Sequence, residues 1–162
     1  MDTAISEERL KEILDWLIRE VTEDSTGIRL IQGELEPGDD ACTVHISFRR
    51  GFRSSLSLRA DVAMLTRLAQ SILKKEDVTR QDMEDVAKEY FNVLCGHLTA
   101  VLYKATRIPA RFSVPTFHWG AYNPEDRRQQ FALNYSGEGD ETAQLVHHIP
   151  CPEEGEGGEN KN

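Results

Sequence analysis

Cysteine is scarce in this chain of 162 residues, and its arrangement excludes two kinds of small protein. The three cysteines, Cys42, Cys95 and Cys151, are odd in number and far apart in the sequence. They have neither the paired spacing of a zinc site nor the density of a disulfide framework. We therefore expect reduced thiols with mainly structural roles.

Long apolar runs and a leader-like N-terminus are also missing. No apolar run approaches the roughly 20 residues that span a bilayer as a helix. Residues 1–8 have neither the basic nor the apolar region of a signal peptide. These features predict a cytoplasmic protein that does not bind membranes.

Basic residues are fewer than acidic residues in the sequence as a whole. The 19 Lys and Arg residues face 28 Asp and Glu residues, which gives a net charge of −9. Affinity for nucleic acid comes largely from clustered Lys and Arg. Basic pairs occur at Arg49-Arg50 and Arg127-Arg128 but build no stripe. Nucleic acid is therefore not expected as a partner.

Motifs of the common enzyme classes are absent as well. The sequence contains no P-loop, no nucleophile elbow and no Gly-x-Gly-x-x-Gly. His45 and His118 lie in strand-like patterns, and His97 falls on the predicted core side of a helix. His147 and His148 are adjacent and should point to opposite faces of a strand. Structural roles, not metal ligation, are predicted for all five histidines.

What the sequence does contain is the pattern of one domain followed by an acidic segment. With 39% hydrophobic and 29% charged residues, the composition is that of an ordinary globular protein. Residues 1–149 are predicted to form the domain, and residues 150–162 an acidic disordered tail. The predicted fold is α/β of the α+β kind, with a mainly antiparallel sheet of five to six strands and three helices.

Two amphipathic helices are predicted in the first half of the chain. Apolar residues at three- and four-residue steps place the first at 6–23, with Ser6 as its N-cap and Gly27 as its stop. The second begins at the N-cap Asp61 and ends near Leu73.

Alternating apolar and polar residues predict the strands. Residues 43–50 and 52–59 form a hairpin at Gly51, in which each strand has one solvent-facing side. The other predicted strands lie at 28–32, 111–119, 129–135 and 142–149.

The third predicted helix, residues 80–107, is the most informative segment. It starts with a capping box formed by Thr79 and Asp82. Steps of four, three and four residues place a polar set on one side of this helix: Asp85, Glu89, Asn92 and Gly96. Asn and Gly each cost some tenths to about 1 kcal/mol relative to Ala in a helix. Their presence favours a docking ridge that another surface approaches closely at Gly96, and an ordinary solvated face is the alternative.

Pro115 interrupts the predicted strand at 111–119. Proline removes a hydrogen-bond donor from a strand ladder. The apolar phase also shifts there, from Phe112 and Val114 to Phe117 and Trp119. Both observations predict a bulge at Pro115.

Together these residues form a spaced pattern, Asp85-x3-Glu89-x2-Asn92-x22-Pro115. It resembles the signature of the CheC, CheX and FliY phosphatases, which is Asp or Ser, three residues, Glu, two residues, Asn, twenty-two residues and Pro. All four positions match. Neither of the first two helices carries a second Glu-x-x-Asn, so the resemblance is nearest to CheX.

The resemblance implies a phosphatase that removes the phosphoryl group from a phosphorylated CheY-like response regulator. Asn92 would enter the regulator's active site and position the attacking water, while Glu89 would pair with a basic residue of the regulator. Asp85 would support docking, and Pro115 would be structural. No metal or other cofactor is expected on this chain, because the receiver domain holds Mg²⁺. A homodimer joined through sheet edges is also implied.

Two other functional classes stay open. A non-catalytic adaptor could dock on a response regulator or on the flagellar switch, although it would not need an acid beside a water-positioning amide. A structural α/β domain without chemistry is the third interpretation, and it requires the pattern match to be accidental.

Overall fold

The computed structural model describes residues 5–152, and its helices begin and end at recognisable caps. They are α1 (Glu7–Thr26), α2 (Val62–Leu73) and α3 (Arg80–Thr106). The Ser6 side chain accepts a hydrogen bond from the Arg9 N–H at 3.1 Å, and Asp61 accepts from the Met64 N–H at 2.8 Å. Gly27 ends α1 in the left-handed conformation, with a φ of 77°. The predicted caps of α1 and α2 are confirmed.

The strands form one antiparallel sheet with the order β1-β6-β7-β3-β2-β4, and β5 also pairs with β2. Their bounds are β1 (Ile31–Gln32), β2 (Cys42–Arg50), β3 (Ser55–Ala60), β4 (Arg111–Phe112), β5 (Thr116–Trp119), β6 (Arg127–Ser136) and β7 (Thr142–Pro150). The predicted α+β class is confirmed. The predicted strand count was too low, because residues 111–119 form two short strands in place of one, which gives seven strands between residues 5 and 152.

The core lies between the three helices and one face of the sheet. Alternate strand residues such as Val44, Leu58 and Leu145 are at most 3% exposed, and they belong to the same apolar cluster as Ile18 and Phe91 of the helices. An antiparallel sheet covered by helices on one side is a stable two-layer arrangement. The helices therefore present their outward sides to solvent, and α3 presents its polar residues there.

The solvent-facing side predicted for β2 and β3 is wrong. Their outward residues His45, Ser55 and Ser57 are at most 5% exposed. The segment after β5 covers part of this face, because the Tyr122 ring lies 5.0 Å from His45 and stacks on His118 at 4.0 Å. A contact between a loop and a strand about 75 residues away in sequence leaves no trace in local alternation.

The core side predicted for α3 also needs correction at His97, which is exposed. Cys95 is fully buried in its place. The helix contacts α1, α2, β2 and β5 together, so its buried stripe is wide and is displaced away from His97. No helix between residues 5 and 152 has both the length and the apolar character needed to cross a membrane. The predicted acidic tail falls outside the described residues from residue 153 onward.

Candidate functional site

The position of the polar ridge on α3 depends on where this helix begins, which its N-terminal cap determines. The Thr79 hydroxyl accepts from the Asp82 N–H at 3.0 Å, and the Asp82 carboxylate accepts from the Thr79 N–H at 3.0 Å. This reciprocal capping box, which the sequence predicts, fixes where the helix starts. The backbone hydrogen bond of Thr79 is the main reason why the pKa of Asp82 lies below its usual value.

The four residues of the spaced pattern meet in space. Asp85, Glu89, Asn92 and Pro115 line one shallow groove of about 420 Å³, together with Lys88 and Val114. We call this opening the signature groove. One of its walls is the outward side of α3, and the other is the segment between β4 and β5. The fold thus brings Pro115, which lies far from α3 in sequence, against the ridge.

The β4–β5 wall is a bulge in the edge of the sheet. Phe112 pairs with Phe48, and Thr116 pairs with His45, so residues 113–115 oppose only residues 46–47 of β2. The Ser113 hydroxyl accepts from the Ser47 N–H at 3.0 Å, and the Ser113 N–H donates to the Ser47 carbonyl at 2.8 Å. The predicted bulge is present, and Pro115 lies where a missing donor costs no ladder hydrogen bond.

The bulge gives Val114 and Pro115, which both line the signature groove, different exposure to solvent. Pro115 is buried, whereas the Val114 side chain beside it is 82% exposed. Val114 therefore adds exposed apolar area to the wall of the signature groove. Sequence reasoning predicted a structural role for Pro115 but did not single out Val114.

Asn92 and Glu89 have no hydrogen-bond or ion-pair partner within residues 5–152, and both side chains are exposed. Asp85 differs, because its carboxylate accepts from the Gln81 side chain at 2.9 Å. Lys88 pairs with Glu84 at 3.5 Å and leaves Glu89 without a counter-ion. The groove therefore offers a free carboxamide and a free carboxylate one helical turn apart.

Gly96 lies one turn beyond Asn92 on the same exposed side of α3. A Cβ atom at Gly96 would meet no atom within 4 Å, so the packing of this chain does not require glycine there. A glycine in mid-helix costs up to about 1 kcal/mol relative to alanine. Close approach of another molecule at Gly96 stays a prediction.

A second, apolar groove adjoins the signature groove. It has a volume of about 520 Å³, and Asp85 and Glu89 line both openings. Its apolar lining includes Leu73 and Val93, which are 40% and 38% exposed. We call it the apolar groove. Sequence reasoning missed these two residues, although two large apolar residues at the solvent-facing margins of α2 and α3 could have indicated it.

The remaining candidate groups lie elsewhere and are engaged within the chain. Between residues 5 and 152 no group of three or more His, Cys, Asp or Glu side chains is arranged to hold a metal ion. His147 bonds to the Gln130 side chain at 2.8 Å, and burial lowers its pKa to about 3. Burial also raises the pKa of the Cys42 thiol to about 11, which makes this thiol a poor nucleophile.

Known proteins resemble this chain in their fold and not in their sequence. No protein-family model matches the chain, and no curated protein matches its sequence. The solved structure of chemotaxis protein CheX from Desulfovibrio desulfuricans is 13% identical over 85% of this chain and 97% of that chain, with a TM-score of 0.71. Chemotaxis protein CheX from Vibrio vulnificus is 11% identical over 91% and 99% of the two chains, also with a TM-score of 0.71.

A third similar structure is the CheX–CheY–BeF3–Mg²⁺ complex from Borrelia burgdorferi. It is 14% identical over 88% of this chain and 95% of that chain, with a TM-score of 0.64. Identities this low establish the fold and leave function to be argued from the site. The chain has a CheX-like fold of the type found in the CheC, CheX and FliY proteins.

Proposed function

We propose that this chain is a CheX-like phosphatase that hydrolyses the phosphoaspartate of a CheY-like response regulator. The observation that carries the proposal is the signature groove, in which all four positions of the sequence pattern line one opening. A chain with the same fold occurs in a complex with CheY in Borrelia burgdorferi. The fold is compatible with this function, and the pattern and the groove that its residues line support it.

Asn92 has the chemistry that such a reaction needs. A water oxygen must attack the phosphorus in line with the aspartyl oxygen that leaves, which releases inorganic phosphate and the free aspartate. A carboxamide can accept a hydrogen bond from that water and donate another, and it does not titrate near neutral pH. Asn92 is exposed and has no side-chain partner within residues 5–152, so it is free to enter a partner's active site.

Glu89 supplies negative charge one helical turn away. Its carboxylate is exposed and has no counter-ion between residues 5 and 152. A basic residue of the regulator would pair with it and orient the complex, and the pairing could draw a lysine away from the phosphoryl group. Asp85, held by Gln81, would support docking without entering the chemistry.

The apolar groove offers the regulator a docking surface. Leu73 and Val93 expose apolar area beside Glu89, and covering such area contributes about 25 cal/mol per Å². A partner that fills this groove would lie next to the acidic and amide groups of α3. Docking and positioning would then be divided between the two adjoining openings.

No resident metal or other cofactor is part of the proposal. The receiver domain would hold Mg²⁺ next to its phosphoaspartate, and positioning one water contributes several kcal/mol to lowering the barrier. The competing function is an adaptor that docks on the same regulator without accelerating hydrolysis. The apolar groove suits both functions, whereas the free amide of Asn92 serves only the phosphatase.

Two further properties belong to this proposal: a cytoplasmic location and a homodimer joined through sheet edges. At one edge of the sheet, β1 pairs only with residues 135–136 of β6, so residues 127–133 have an open edge within residues 5–152. Sedimentation at micromolar concentration should show a dimer. A monomer at all concentrations would contradict the dimer and leave the phosphatase proposal intact.

The function is tested by the decay of a phosphorylated CheY-like regulator from the same genome, with Mg²⁺, in the presence of catalytic amounts of this protein. The phosphatase proposal predicts decay that accelerates in proportion to protein and continues over many turnovers. If the regulator binds but its decay is unchanged, the adaptor is the correct function. If none of the genome's receivers binds, both functions are wrong.

A further inference from the structure

Five exposed arginines gather at one end of the sheet. They are Arg49 and Arg50 at the end of β2, Arg53 in the β2–β3 turn, Arg107 after α3 and Arg111 in β4. We call this group the arginine tip. It combines two segments that are about 55 residues apart in sequence, so neither segment alone reveals it.

Backbone contacts fix the two segments against each other. Gly51 forms the turn with a φ of 98°, and a Cβ there would come within 2.8 Å of the Pro109 carbonyl oxygen and 3.0 Å of the Ala110 Cα. Such an approach is available only to glycine. The hairpin turn therefore packs tightly on the segment that links α3 to β4, and the arginines of both segments stay together.

The charges of the tip are not neutralised within the described chain. None of its five guanidinium groups lies within 4.0 Å of a carboxylate between residues 5 and 152, although Asp and Glu outnumber Lys and Arg in the whole chain. The sequence contributes to this separation, because residues 42–60 and 104–119 contain no Asp or Glu. Positive charge is thus concentrated at one end of an acidic protein.

One pair of arginines is placed unfavourably for stability. Arg50 and Arg111 are direct cross-strand partners in the β2–β4 pairing. Like charges that face each other across strands destabilise a sheet by some tenths of a kcal/mol to about 1 kcal/mol. Arrangements that cost stability are expected mainly at functional sites, and an unneutralised pair of arginines suits an anionic partner.

The tip and the signature groove share one edge of the sheet. Arg111 precedes Pro115 by four residues, which span at most about 14 Å of chain. A protein interface of ordinary size buries about 800 Å² on each partner and extends roughly 30 Å. One protein seated on the groove can therefore also cover the tip.

We propose that the arginine tip is a second docking surface, which binds an acidic surface segment of the same response regulator that the signature groove engages. The inference rests on the proposed function for its choice of partner. Nucleic acid is the weaker candidate, because the net charge of −9 repels a polyanion from the rest of the molecule. The tip increases the rate of encounter and the affinity, and the groove performs the chemistry.

The test is the double substitution Arg50→Ser and Arg111→Ser. Its matched control is Arg9→Ser with Arg29→Ser, which removes the same charge from exposed positions. Arg9 lies near the start of α1 and lines neither the signature groove nor the apolar groove. We expect the tip variant to raise the KM for the phosphorylated regulator by about tenfold at low salt and to leave kcat unchanged. The control should leave both parameters unchanged.

Salt supplies a second readout. Between about 50 mM and about 300 mM NaCl the wild-type KM should rise severalfold, and the KM of the tip variant should rise much less. Equal KM values and equal salt dependence in wild type and tip variant would overturn the inference. The proposed function would be unaffected if acceleration by the wild type persisted.

Direct binding separates this inference from the chemistry. The regulator is titrated against Asn92→Ala protein with and without the tip substitutions, and we expect the tip substitutions to raise the Kd by about tenfold. This holds even if no acceleration is found, so failure of the phosphatase proposal is distinguishable. Tip-dependent binding of a duplex DNA probe that is tighter than binding of the regulator would overturn the inference in favour of nucleic acid.

Discussion

The ridge of α3 and the outward face of the sheet are both rich in polar side chains, yet they differ in what those side chains bind. On the sheet, the Ser57 hydroxyl contacts His45 Nδ1 at 2.7 Å and His148 Nε2 at 3.1 Å, and all three residues are at most 5% exposed. On the ridge, Glu89 and Asn92 are exposed and have no partner within residues 5–152. On the sheet, Ser57, His45 and His148 stabilise the fold through these hydrogen bonds, whereas the helix leaves Glu89 and Asn92 available to another molecule.

On the sheet, the substitution Ser57→Ala should have the largest effect on stability. One hydroxyl can donate to one imidazole and accept from the other, so its loss leaves two buried ring nitrogens without this partner. We expect the free energy of unfolding in urea to fall by about 2 kcal/mol. Ser71→Ala, on the outer side of α2, is the control and should change it by less than about 0.5 kcal/mol.

The same substitution should not affect catalysis, because Ser57 lies on the face of the sheet away from the signature groove. At a temperature where the Ser57→Ala protein is fully folded, its kcat should match the wild type. A large loss of kcat in the folded variant would show that the outward face takes part in function.

The histidines of the sheet predict a second effect, on stability against pH. Burial is the main cause that lowers the pKa of His45 and of His148 to about 4. An unfolded histidine titrates near pH 6.5, so between about pH 4 and pH 6.5 the unfolded state binds more protons than the folded state. The stabilisation is complete above pH 6.5 and is lost progressively as the pH falls towards 4.

Urea unfolding between pH 5 and pH 7 measures this effect, since most carboxylates stay ionised in that range. We expect a steady decrease in unfolding free energy as the pH falls from about 6.5 to about 5. His97→Gln, at an exposed position on α3, should leave the profile unchanged. A flat profile in the wild type would mean that the buried histidines accept protons without cost.

On the ridge, Glu89→Gln should show a smaller effect of another kind. It removes a charge that has no partner within the described chain, so stability should stay within about 0.5 kcal/mol of wild type. The KM for the phosphorylated regulator should rise by about tenfold, because the pairing charge is lost while Asn92 remains.

The matched control for Glu89→Gln is Glu20→Gln, which removes the same charge from an exposed position on α1. Steady-state kinetics of both variants are compared at one salt concentration. An equal rise in KM would indicate general electrostatic attraction in place of a specific contact at Glu89.

Local chemistry explains which parts of the fold the sequence could predict. The caps at Ser6, Asp61 and Thr79 depend on residues within one turn, and the structure has them where the pattern places them. The bulge at Pro115 was predictable because proline and the apolar phase conflict at the same position. The helix that carries Glu89 and Asn92 was also predictable, because the spacing of apolar residues along a helix is a local pattern.

Contacts between distant segments explain what the sequence could not predict. Tyr122 buries a sheet face that alternation assigns to solvent, and α3 turns His97 outward because it contacts two helices and the sheet at once. Val114 joins the signature groove only through the pairing of β4 and β5 with β2. The arginine tip likewise requires the turn at Gly51 to meet Pro109.

We propose above that the free carboxamide of Asn92 positions the attacking water. This proposal is tested most directly by measuring kcat for dephosphorylation of the regulator by the Asn92→Ala variant. We expect kcat to fall by at least about 100-fold with KM nearly unchanged, and no loss of stability because alanine is the better helix residue. A folded Asn92→Ala protein with the wild-type kcat would show that Asn92 does not position the attacking water.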